Sequence, residues 1–322
     1  MAKKKVKEVK NDKNEAQTSA QQAPKKGGGL VLMITILFAV IVVAEVYFVM
    51  QKSARESKRP VFVSSLDKSY AGITSMGEYG SHIYVTNAEN GEVRKIDKNT
   101  GKILQIIDVT DGAIYTLENM AGQTYVLTKK NSIIIYNENM KEIKRLALQG
   151  ITQAVWFDID KDDNIYVADG PNGKITSFDK DFNKLTTFGG NGINKDQFIG
   201  LAKLKVSSNG EIYAFESSGN NTGRMHVMSN TGKTRLVYKV DRLSKISFLT
   251  NFVITPDGYV YFNDFEGNCV VIYNPKGEYM GKFDTDTAKS FLITYPAAIA
   301  GGNNGLIYVA THRLGIFSPI KY

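Results

Sequence analysis

Short apolar runs return along this chain at a nearly fixed spacing, each built on a tyrosine among β-branched and other apolar residues and each closed by a polar residue. His82-Ile83-Tyr84-Val85-Thr86-Asn87 returns as Gln123-Thr124-Tyr125-Val126-Leu127-Thr128 and as Asn164-Ile165-Tyr166-Val167-Ala168-Asp169. Three further copies centre on Tyr213, Tyr261 and Tyr308. The six tyrosines are 41, 41, 47, 48 and 47 residues apart. β-Branched and aromatic residues in alternation predict strands. A period in the forties predicts one four-stranded blade per copy, so the pattern as a whole predicts an all-β, six-bladed β-propeller.

A second mark keeps the same register. Apolar residues followed by Asp, Asn or Ser occur at Asp97, Asn137, Asp179, Ser229, Asn274 and Ser318. A short polar side chain there suits the turn into an outer strand, because it can bond the local backbone. The last copy stops at Tyr322, directly after its third strand. The strand-like piece 61–66 has no blade of its own, and it is expected to supply the missing outer strand and close the ring at 60–322. Closure of that kind removes an exposed sheet edge. The inner strands are expected near 72–76, 113–117, 154–157, 201–204, 251–254 and 297–300.

Upstream the pattern changes. Residues 1–29 are rich in Lys, Asn, Gln, Ala and Gly and predict a disordered basic tail. Leu30 to Met50 is a run of 21 residues with one charge, Glu45. About 20 apolar residues cross a bilayer core as a helix, so 30–50 predicts a transmembrane helix and the lipid bilayer as a partner. Residues 51–59 form a charged linker. The lysines of the tail favour a cytoplasmic N-terminus, which puts the propeller on the extracytoplasmic side of the cell membrane as a single-pass protein. Glu45 is costly at that depth unless it snorkels, protonates or pairs, and it is the one candidate contact with a membrane partner.

Charge adds one exclusion. The net charge is +8, but the tail contributes +5, Glu45 in 30–50 contributes −1 and 51–60 contributes +3, leaving 61–322 at +1. The basic character belongs to the tail and linker, so no nucleic-acid partner is expected. Cys269 is the only cysteine, which rules out an intrachain disulfide.

Blade three, from Phe157 through Asp160, Asn164-Ile165-Tyr166-Val167-Ala168-Asp169 and Asn172-Gly173-Lys174-Ile175 to Phe178, resembles the NHL repeat, whose pattern is roughly D-x-x-G-N-I-Y-V-A-D followed by N-x-R-I/V-x-x-F. Blade five resembles it more loosely, and Asn87 and Thr128 stand where the family has Asp. The resemblance implies a six-bladed propeller. It implies no single activity, since the fold hosts binding modules, lyases and lactonases.

Candidate chemistry is sparse. His82, His226 and His312 fall in different blades and layers, which speaks against a shared zinc. Glu118, Asp158 and Asn251, beside Lys203, are the oxygen donors nearest the inner strands, and they are expected to end strands and bond turns rather than hold calcium. Asp169 and Asp264 are expected to bond the next turn, and Trp156 to pack between blades. No catalytic, cofactor-binding or metal-binding residue is assigned, and no cofactor is expected. The longer inter-blade segments 110–115, 189–199 and 239–250 are where a protein partner is expected to bind. The leading function is a membrane-anchored binding or scaffold module for a protein, peptide or glycan. The alternative is a membrane-tethered hydrolase or lyase with a metal in the central channel.

Overall fold

The computed structural model describes residues 28–56, 61–66, 72–217, 221–288, 291–301 and 305–318. Residues 1–27 of the tail expected at 1–29, residues 57–59 of the linker expected at 51–59 and residues 218–220 of the blade-four insertion lie outside the described residues. Two compact units are present, 1–53 and 54–322.

In the first unit, α1 (Gly28–Glu56) carries the apolar run. Its described aliphatic and aromatic side chains are exposed along the helix, with Phe38 and Phe48 among them. The side chains of 28–32, 35 and 51–56 are not described. Among the described residues, no helix is long and apolar enough to cross a membrane.

The second unit is a six-bladed all-β propeller. Each blade is a four-stranded antiparallel sheet, and strand order follows the chain in five of them. β1 (Val61–Leu66) comes first in sequence. Blade one is β2 (Ser75–Tyr79), β3 (His82–Asn87), β4 (Glu92–Asp97) and β5 (Ile103–Asp108). Blade two is β6 (Ala113–Glu118), β7 (Thr124–Thr128), β8 (Ser132–Tyr136) and β9 (Glu142–Ala147). Blade three is β10 (Ala154–Ile159), β11 (Ile165–Asp169), β12 (Lys174–Phe178) and β13 (Lys184–Gly189). Blade four is β14 (Leu201–Val206), β15 (Ile212–Ser217), β16 (Gly223–Met228) and β17 (Thr234–Val240). Blade five is β18 (Phe252–Ile254), β19 (Val260–Asp264), β20 (Cys269–Tyr273) and β21 (Tyr279–Asp284). Blade six is β22 (Ala298–Gly301), β23 (Ile307–Ala310) and β24 (Leu314–Ser318), with β1 as its outer strand. β1 pairs with β24 from Val61↔Ser318 to Leu66↔Leu314.

The returning tyrosine sits on the second strand of every blade and is buried there. Both faces of that strand are covered: β7, β11 and β19 are buried at every position. Outer strands differ. β5 alternates half-buried and exposed residues, and β9 is exposed almost throughout. The core is therefore a ring of clusters that join neighbouring blades, such as Ile83 and Val85 of blade one with Tyr308 and Leu314 of blade six. Burying each such side chain stabilises by roughly 1.5–3 kcal/mol.

The polar register mark does what its chemistry dictates. Asp97 Oδ1 accepts the N–H groups of Asn99 and Thr100 at 3.0 and 2.7 Å. Asn137, Asp179 and Asn274 each accept N–H groups two and four residues on. The Asp257-Gly258 turn needs its glycine, whose φ is +81°. Blade one corrects one expectation: its inner strand runs over 75–79, not 72–76. Gly72 adopts φ +73°, and a Cβ there would lie 2.3 Å from Asn87 Nδ2, so the chain turns before extending.

Candidate functional site

Inner strands all run the same way through a propeller, so its two faces differ. On one, the loop face, the inter-blade segments deliver the chain to β6, β10, β14, β18 and β22. On the other, the turn face, the inner strands end and turn into the tyrosine strands. A cavity of about 390 Å³ lies at the turn face. All six inner strands line it.

Its position is tied to the repeat. Gly77, Leu117, Asp158, Lys205, Val253 and Ala300 all line the cavity. Each is the cross-strand partner of a returning tyrosine: Tyr84, Tyr125, Tyr166, Tyr213, Tyr261 and Tyr308. Direct cross-strand partners share a face of the sheet, so each of these residues stands beside its tyrosine, one strand closer to the channel.

Carboxylates outnumber lysines around the cavity. Glu78, Glu118, Asp158, Asp160 and Asp163 line it, against Lys161 and Lys205. Several are already engaged. Lys98 pairs with Glu78. His82 Nδ1 lies 3.5 Å from Glu118 Oε2. Asp160 Oδ1 accepts the N–H groups of Asp162 and Asn164, both at 2.9 Å, and its Oδ2 accepts the Tyr166 hydroxyl at 3.1 Å. Lys205 Nζ lies 3.6 Å from Asp158 Oδ1 and donates to the Tyr115 hydroxyl. Burial alone would lower Lys205, but Asp158 and then Tyr115 hold it above the ordinary lysine range. Met120, 73 % exposed, stands at the rim.

Contrary to the expectation from sequence, Asp158 does not bond a turn. It reaches across to the next blade, where Val206 N–H donates to its Oδ2 at 2.8 Å. Asp169 bonds the next turn through the Asn172 side chain, whose Nδ2 donates to its Oδ2 at 2.8 Å, and it does more. It accepts N–H groups from Thr152 and Gln153, at 3.0 and 3.2 Å, in the loop before its own inner strand. Asp264 does both jobs, accepting Ser244 N–H at 2.6 Å and Gly267 N–H at 3.1 Å. The end of the tyrosine strand thus clamps the inter-blade loop.

The three histidines stay apart. His82 opens β3, His226 is buried in β16 with Nδ1 3.0 Å from Lys195 O, and His312 lies between β23 and β24. Among the described residues, no group of three or more His, Cys, Asp or Glu side chains is placed to hold a metal ion. Trp156 packs between blades, stacked on Tyr115 with centroids 3.9 Å apart. Glu45 lies exposed on α1, and no ion pair involves it among the described residues.

The inter-blade segments lie at the loop face, opposite the cavity. The segment 189–199 is pinned to blade four: Phe198 is fully buried, 4.7 Å from the His226 ring, and Arg224 donates to Ile193 O at 2.9 Å. Asp111 is held by Lys130 and Arg145.

No protein-family model matches the chain, and no curated protein matches it. Solved structures do. A streptogramin B lyase shares 14% identity over 81% of this chain and 96% of that one, with a TM-score of 0.55. A hydrazine synthase structure from Kuenenia stuttgartiensis shares 11% identity over 81% of this chain and 100% of that one, with a TM-score of 0.57. At such identities the likeness is one of fold, and it agrees with the six-bladed propeller built above.

Proposed function

We propose that this chain is a membrane-anchored, extracytoplasmic binding module, an NHL-like propeller that captures a basic side chain of a protein or peptide partner at its turn face. The carrying observation is the cavity of about 390 Å³, in which five carboxylates face two lysines beside an exposed Met120. A cleft lined by one sign of charge concentrates ligands of the other. The anchor reading rests on the apolar run of α1, whose described side chains find no core to enter. The tail's lysines support a cytoplasmic N-terminus. Glu45 is then the group through which α1 meets a membrane partner.

A photo-crosslinker at Met120 of the full chain in native membranes tests the binding reading. A discrete protein adduct that is absent when the crosslinker sits at Ile106, exposed on the outer strand β5, is expected. The same adducts from both positions, or none, would refute it. Carbonate extraction and protease protection test anchoring and sidedness. The hydrolase or lyase alternative needs an oxygen-rich ligand set, and Asp158 is already committed to Lys205 and Val206. Stoichiometric calcium or zinc in the purified chain would replace the binding reading.

A further inference from the structure

A second level of the channel lies closer to the loop face. In blades two, three and four the inner strand slips register just before Tyr115, Trp156 and Lys203. These residues pair with Leu127, Ala168 and Phe215, each two positions past a returning tyrosine. In blade five that place belongs to Asn251, whose N–H donates to Asn263 Oδ1 at 2.7 Å and whose C=O accepts Asn263 N–H at 3.2 Å. Blades six and one fill the level with Ala298 and Ser75, both small. Large or polar groups thus occupy one side of the ring and small ones the other.

Three polar groups at this level are unanswered. Trp156 Nε1 and Asn251 Oδ1 have no hydrogen-bond partner, in residues only 3% and 4% exposed. Lys203 Nζ lies 3.7 Å from the centroid of the Trp156 ring, and no carboxylate lies within 4.0 Å of it among the described residues. Asn251 Nδ2 is directed to Leu249 O at 3.4 Å, which leaves Oδ1 as the free acceptor. Buried polar groups are normally paired, so two such atoms beside the half-buried Lys203, which has no carboxylate partner, call for a ligand that pairs them.

The set is two donors, one of them cationic, and one acceptor. We propose that Lys203, Trp156 and Asn251 bind a small hydroxycarboxylate inside the channel, its carboxylate on Lys203 and the Trp156 N–H, its hydroxyl donating to Asn251 Oδ1. Burial, and then Lys205, push Lys203 down to about 7, and a bound anion would supply the counter-charge it lacks. None of the three residues lines the turn-face cavity, so the site is independent of the partner reading above.

Trp156 is the only tryptophan and reports on its own site. The full chain is titrated at pH 7 and constant ionic strength with glycolate, acetate, chloride and methylammonium while Trp156 emission is followed. Glycolate is expected to saturate the signal and to bind at least about tenfold more tightly than acetate, since only glycolate satisfies Asn251. Lys203→Met should weaken both carboxylates at least about tenfold, and Asn251→Leu should abolish the preference for glycolate. No saturable response to either carboxylate, an equal response to chloride, or unchanged binding by Lys203→Met would overturn the proposal. Where a variant fails to fold, the wild-type chain decides: saturating glycolate should raise the pH midpoint of Trp156 emission, and an unmoved midpoint overturns the proposal.

Discussion

Asp158 of the third blade and Lys205 of the fourth face each other at 3.6 Å, and the other Asp158 oxygen takes the Val206 N–H at 2.8 Å. Two inner strands are thus fastened at the channel wall by one carboxylate. Asp158→Asn leaves the half-buried Lys205 without its counter-charge and is expected to cost about 3 kcal/mol. Lys205→Met should cost a similar amount. The double variant should cost less than the two together by more than about 1 kcal/mol, read from denaturant unfolding. Additive losses would show that the pair does not couple the blades.

Lys203 gives stability a pH dependence of definite sign. Its pKa is pushed down to about 7, first by burial and then by Lys205, whereas the unfolded chain titrates it at the ordinary 10.5. Between those values the unfolded state holds the extra proton, so the stability governed by this group rises with pH from about 7 to about 10.5 and is flat below. The difference in unfolding free energy between wild type and Lys203→Met should therefore grow across that window. A difference independent of pH would contradict this.

Gly77 allows blade one to lie against blade two. A Cβ there would stand 2.3 Å from the Thr116 carbonyl oxygen, a backbone atom that cannot swing aside. Gly77→Ala should lower stability by about 1–3 kcal/mol, as overpacking does. A thermal melt unchanged from wild type would show that the two strands move apart without penalty.

Removing β1 opens the ring. A chain beginning at residue 67 should melt on the order of 10 °C lower, since each lost kcal/mol shifts the midpoint by roughly 2–4 °C at this size. It should also aggregate through the bared edge of β24. Equal melting with and without β1 would show that pairing from Val61↔Ser318 to Leu66↔Leu314 contributes little.

The propeller was legible because its second strands are buried on both faces, so each keeps its tyrosine among apolar neighbours. The turn marks were legible because Asp97, Asn137 and Asp179 bond their own backbone, a local demand. The channel was not. One level of it holds Ser75, Tyr115, Trp156, Lys203, Asn251 and Ala298, six residues with nothing in common but register. Alternating Lys203 and Lys205 looks like an ordinary strand with a wet face until six strands close around it. The longer inter-blade segments are visible in a sequence as insertions, whereas concavity is not. The cavity opens at the other face. The available signal was the cross-strand partner of each returning tyrosine, readable once the inner strands are aligned to it.

The pairing of β1 with β24 also sets a timetable. The two strands are about 250 residues apart in the chain, so β1 leaves the ribosome long before its partner exists. At roughly 5–20 residues per second it waits on the order of 10–50 s with both edges bare. Blades one to five can form meanwhile, each from its own consecutive strands. The ring becomes a ring only when the last of these strands to be made meets the first.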